Sequence, residues 1–173
     1  MQLLNFLTRN SEFVQKFKIK GAAAGYTSFD ASIGLRMSKR QQLQFGSIIK
    51  KWVDNNWKYV QSLPGISEWD GTLVSFDNLV TSKMMGFSSA AEYYTAITEG
   101  CTELLPNSPV PLLLFCTKDD PVTKGFSPKE ICSDLSNVLL VEASEGGHLG
   151  TLIRGENRDV FSQLVVEFME FVK

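Results

Sequence analysis

Val110-Pro111-Leu112-Leu113-Leu114-Phe115-Cys116-Thr117-Lys118-Asp119-Asp120-Pro121 runs from an apolar stretch into two carboxylates closed by a proline. An apolar run of this kind, with proline near its start, reads as a strand buried on both faces, as in a parallel sheet. A second run, Asn137-Val138-Leu139-Leu140-Val141-Glu142-Ala143, leads in the same way to Glu145-Gly146-Gly147-His148, which holds the only histidine of the chain. Between the two lies Ser127-Pro128-Lys129-Glu130. This is a helix start with a serine cap, proline at the first helical position and glutamate three residues after the cap. Strand, loop, helix, strand, loop, helix is the order of a right-handed crossover, so the fold class is α/β.

Outward from this unit, residues 158–172 predict an amphipathic helix through Val160, Phe161, Leu164, Val165, Phe168, Phe171 and Val172. Residues 2–17 predict another, with Leu3, Leu4, Leu7, Phe13, Val14 and Phe17 on one face. The run Ile19-Lys20-Gly21-Ala22-Ala23-Ala24-Gly25-Tyr26 is short and flanked by glycines, which favours a buried strand over a helix. Residues 30–105 carry no strong strand signal. Their helical spacing and the Pro64-Gly65 break predict several short helices joined by loops.

The 173 residues suit one domain with a substantial core. Hydrophobic residues at 43% and charged ones at 21% argue against disorder. A formal net charge of −2 with scattered basic residues lacks the clustered basic face that nucleic acid requires. Cys101, Cys116 and Cys132 are widely spaced and contain no Cys-x-x-Cys pair. They predict neither a disulfide framework nor a zinc site, and reduced thiols fit a cytoplasmic, soluble chain. No apolar run approaches the roughly 20 residues that span a bilayer.

Functional groups in open α/β sheets gather at the carboxyl ends of the strands. Asp119, Asp120 and His148 all fall there. A carboxylate bonded to one imidazole nitrogen fixes the tautomer and leaves the other nitrogen to take a proton from a nucleophile. Asp119 and Asp120 compete for the acid role. Pro121 biases Asp120 away from helical geometry and holds it at the strand exit, so Asp120 is preferred, with Asp119 left to cap or to meet solvent.

A matching nucleophile is missing. The nearest approach to Gly-x-Ser-x-Gly is Gly86-Phe87-Ser88-Ser89-Ala90, which lacks the second glycine of the strained elbow and follows no core strand. Ser88 or Ser89 reads instead as the cap of a helix containing Tyr93 and Tyr94. Cys116 lies within a strand, and Cys101 and Cys132 have no activating neighbour.

Taken in order, Phe76-Asp77, Thr81, Gly86-Phe87, Tyr93-Tyr94, Val110-Pro111, Asp119-Asp120-Pro121 and Gly146-Gly147-His148-Leu149-Gly150 resemble the C-terminal half of the YheT-like branch of abhydrolase-domain proteins. Tyr26-Thr27-Ser28-Phe29-Asp30 resembles that family's strand exit before its helical lid. The resemblance implies the C-terminal part of an α/β-hydrolase fold: a few-stranded parallel sheet with flanking helices and a lid over residues 30–105, all within one partial domain of residues 1–173. It further implies a serine esterase or lipase acting on lipid or medium-chain acyl esters, with no metal or organic cofactor. Asp120 would be the acid and His148 the base. The segment Met1-Gln2-Leu3-Leu4-Asn5-Phe6-Leu7 resembles the helix that follows the family's nucleophile elbow. The serine is therefore expected upstream, along with any N-terminal region that associates peripherally with a membrane. The chain alone is expected to be inactive, as a fragment or as a non-catalytic pseudoenzyme or interaction fragment of the same fold.

Overall fold

The computed structural model describes residues 2–26, 30–63, 65–123, 127–148, 150 and 159–173. Expectations for Thr27, Ser28, Phe29, Pro64, Leu149 and Arg158, and for the Cys101 side chain, lie outside the described residues. The chain divides into two compact units, residues 1–30 with 99–173, and residues 31–98.

The first unit is built on three parallel strands, β1 (Ala22–Gly25), β2 (Leu112–Thr117) and β3 (Val138–Ala143), in the order β1-β2-β3. The register sets Ala22 beside Leu112 and Leu112 beside Val138, and the β2–β3 pairing continues to Thr117 beside Ala143. All six residues of β2 are buried, which is why its sequence shows no alternation. One face of the sheet, through Ala22, Leu112 and Leu114, packs on Leu4, Leu7 and Val14 of the N-terminal helices and on Cys132. The opposite face receives the helix Val160–Phe171. Its Phe161 ring lies 5.6 Å from that of Phe115 and closes directly over Gly25, where a Cβ would come within 2.8 Å of it. Small residues in β1 thus let a helix approach the backbone.

The N-terminal segment differs from the single helix predicted over residues 2–17. It forms Gln2–Arg9 and Ser11–Lys16, interrupted at Asn10. There the Asn10 backbone N–H and its side-chain amide both donate to the Phe6 carbonyl, at 3.1 and 2.9 Å. A side chain competing for a helix carbonyl is the usual way asparagine ends a helix. Phe13 and Phe17, expected mostly on one face with Leu4, Leu7 and Val14, are exposed and pack on one another at 4.2 Å. The cap before the helix Lys129–Cys132 also differs. Pro128, one residue after the expected Ser127, holds the cap position, and its carbonyl accepts from Ile131 and Cys132 at 3.0 and 2.9 Å.

The second unit is helical. Its longest element lying wholly within it is Lys39–Asn55, opened by a capping box in which the Ser38 and Gln41 side chains each bond the other's backbone N–H. A small core of Val53, Val60, Ile66 and Val80 holds it. Buried Gln42 ties the unit together, its amide donating to the Gly34 carbonyl and its oxygen accepting from Val74 N at 3.0 Å. Residues Asp77–Thr81 form one π-helical turn. The helix Ala90–Leu104 runs across the boundary, with Leu105 buried in the core of the first unit.

Candidate active site

β2 ends at Thr117, and the chain turns at once through Lys118, Asp119 and Asp120. Asp120 is only 3% exposed. Its Oδ1 accepts from the backbone N–H groups of Val122 and Thr123 at 2.7 and 3.0 Å. Pro121 between them leaves no competing donor at its own position. The other oxygen, Oδ2, lies 2.9 Å from Nδ1 of His148. With every lone pair of one oxygen committed to backbone, the carboxylate has a fixed direction, and it points at the imidazole.

His148 follows β3 through a loop with an unusual backbone. Gly146 and Gly147 have φ of 147° and 65°, conformations that only glycine adopts without strain. Their N–H groups donate to Asp119, Gly146 to Oδ2 at 3.1 Å and Gly147 to Oδ1 at 2.9 Å. The Gly147 carbonyl accepts from the Thr117 hydroxyl at 2.5 Å. The sequence predicts only that Asp119 caps or meets solvent, and these contacts go beyond that. Asp119 is exposed, yet both of its oxygens are engaged. The signal for it was the Gly-Gly pair, because successive N–H groups in such a turn form a concave anion site.

Burial pushes the Asp120 carboxyl up, but the bonds from His148, Thr123 and Val122 outweigh it and hold the group below its ordinary range. Asp120 is therefore ionised at neutral pH and is an acceptor for a proton on Nδ1 of His148. The His148 side chain remains 32% exposed, so the ring is reachable from solvent.

The hydroxyl and thiol candidates have other engagements. Ser89 caps the helix Ala90–Leu104, accepting from Glu92 N at 3.1 Å, while the Ser88 N–H and hydroxyl both donate to the Glu92 carboxylate. Cys116 and Cys132 are buried, and that burial pushes both thiols up, away from the reactive thiolate. Among the described residues no group of His, Cys, Asp and Glu gathers as a metal site. Nor is any helix among them long and apolar enough to cross a membrane.

Within the helical unit, Asp77 and Tyr94 meet: the Tyr94 hydroxyl donates to Oδ2 of Asp77. Burial, then this bond, pushes the phenol well above its ordinary range. The same unit holds an apolar pocket of about 390 Å³ lined by Ile48, Ile49, Trp52, Val80, Met84 and Met85, among others.

The chain is similar to curated proteins over about 57% of its length. It is 34% identical over 100 residues to an abhydrolase domain-containing protein of Dictyostelium discoideum. It is 29% identical over 99 residues to a monoacylglycerol lipase of Saccharomyces cerevisiae, and 33% identical over 104 residues to a monoacylglycerol lipase of Homo sapiens. The aligned part spans 25%, 22% and 24% of these relatives. No family model matches the chain, and no solved structure matches it significantly. With a three-stranded parallel sheet and flanking helices that agree with part of an α/β-hydrolase fold, these similarities support an α/β-hydrolase family for the chain.

Proposed function

We propose that this chain supplies the acid and base of a serine hydrolase of carboxylic esters, of the YheT-like branch, whose nucleophile lies outside the sequence. The observation that carries the reading is the 2.9 Å contact between Asp120 Oδ2 and His148 Nδ1 at the exits of adjacent parallel strands. In this reading His148 Nε2 takes the serine proton as the serine oxygen attacks the ester carbonyl. It then gives that proton to the departing alcohol, and in the second half-reaction it activates water against the acyl-enzyme. Asp120 stays ionised throughout and stabilises the imidazolium.

The similarity to monoacylglycerol lipases favours lipid esters as substrates and a lipid surface as the place of work. The helical unit would serve as the lid, its apolar pocket matching the chemistry of an acyl chain. A second reading, a non-catalytic pseudoenzyme or interaction fragment of this fold, is favoured by the absence of Gly-x-Ser-x-Gly from the sequence and by the capping roles of Ser88 and Ser89.

A fluorophosphonate probe tests the two. The reading expects labelling of a chain extended N-terminally through a serine elbow, and none of the 173 residues alone. An extended chain that stays unlabelled favours the second reading. Labelling of the 173 residues by themselves sinks both.

A further inference from the structure

We propose that Asp119 is a positioning residue for His148: its carboxylate fills the concavity made by the Gly146 and Gly147 N–H groups and so sets the imidazole on Asp120. The inference rests on the reading of Asp120 and His148 as an acid–base pair.

The loop before His148 has open space beside Gly147. A Cβ at Gly147 would meet nothing within 4 Å, so no close approach of another atom requires glycine there. Two successive glycines have the largest backbone freedom of any pair, and ordering them carries the largest entropic cost. Against that stand three hydrogen bonds from the exit of β2. Asp119 takes the N–H groups of Gly146 and Gly147 at 3.1 and 2.9 Å, and the Thr117 hydroxyl takes the Gly147 carbonyl at 2.5 Å. Bonds to an ionised acceptor are the stronger kind, and a carboxylate that spans two N–H groups fixes direction as well as distance.

The next residue is His148. Thr117, Asp119 and Asp120 thus divide the work: two hold the loop's backbone and the third receives its side chain. The depressed carboxyl of Asp119, caused first by the Gly147 N–H and then by that of Gly146, keeps it charged in this role across neutral pH. A merely solvated aspartate would have neither bond.

Because His148 is the only histidine, nitrogen NMR of the full chain reads its ring without ambiguity. The wild type is expected to show one tautomer, protonated on Nδ1, with protected Gly146 and Gly147 amides. Asp119→Ala should lose that single tautomer and exchange both amides roughly tenfold faster, the factor an ordinary hydrogen bond supplies. Asp119→Asn keeps one acceptor oxygen, so it should restore part of both signals. Where Asp119→Ala fails to fold, Asp119→Asn decides alone: strand amides as in wild type with an altered ring support the clamp.

A wild-type ring and wild-type glycine exchange in both variants would overturn it. Asp120→Asn separates the two failures. A ring that does not respond to Asp120→Asn removes the acid–base pair and the clamp with it. A ring that responds to Asp120→Asn but to neither Asp119 variant removes the clamp alone.

Discussion

The hydroxyl of Tyr26 donates to Oδ1 of Asp159 at 3.0 Å, joining the exit of β1 to the cap of the last helix. Oδ2 of the same aspartate accepts from Ser162 N at 3.0 Å, so one carboxylate both starts the helix and anchors it to the sheet. The Tyr26 ring meanwhile stands edge-on to Phe115 and Phe161, at 5.3 and 5.9 Å.

Tyr26→Phe keeps the ring contacts and removes the hydroxyl. It should cost about 1 kcal/mol in chemical denaturation, the net value of one hydrogen bond. Tyr26→Ala should cost about 3 kcal/mol or more, because the aromatic packing goes too. Equal losses for the two variants would show that the hydroxyl contributes everything.

Two glycine-to-alanine changes should act in opposite directions. A Cβ at Gly46 would sit 1.7 Å from the Gly71 carbonyl oxygen, a backbone atom, so Gly46→Ala should destabilise by at least about 1–3 kcal/mol. A Cβ at Gly100, inside the helix Ala90–Leu104, meets nothing within 4 Å. Gly100→Ala should therefore stabilise by about 0.5–1 kcal/mol. Thermal melts of both variants check the pair.

Acid should weaken the fold partly through Asp120. Its folded carboxyl titrates below the ordinary 3.8, so its contribution is complete above that value and is lost as pH falls through the lower, folded one. Asp119, similarly depressed, adds to the same window. Denaturation midpoints measured against pH should fall below about pH 4, and less steeply for Asp120→Asn. An unchanged slope in that variant would contradict the assignment.

In a chain extended through a serine elbow, His148→Ala should lower ester turnover by several orders of magnitude, as loss of the base does in such triads. Turnover that survives the change would remove His148 from the chemistry.

β2 was legible because burial on both faces leaves an unbroken apolar run, whereas β3 is nearly as apolar in sequence but only partly buried, with Leu139 exposed. That Asp120 and His148 lie at the exits of neighbouring strands was legible because a proline and a glycine pair punctuate those strand ends. What escaped was decided by hydrogen-bond competition. Asn10 breaks a well-patterned helix by bonding Phe6, and Pro128 rather than Ser127 receives the first helical N–H groups. Phe13 and Phe17 lie with Phe6 beside, not on, the face that buries Leu4, Leu7 and Val14, so their exposure follows helical spacing across both short helices. The partners of Thr117 and Asp119 lie about thirty residues further on, beyond the reach of any local pattern.

The helical unit spans Ala31 to Thr98, and these two residues touch: Ala31 N–H donates to the Thr98 hydroxyl at 3.0 Å. A segment whose first and last residues meet behaves as a cassette. Loop-closure entropy grows only slowly with the length enclosed, so insertions, deletions or wholesale exchange between the two ends need not alter how far apart they stand. Under the proposed function, substrate preference carried by such a cassette would be free to diverge, while the join to the strands that bear Asp120 and His148 stays unchanged.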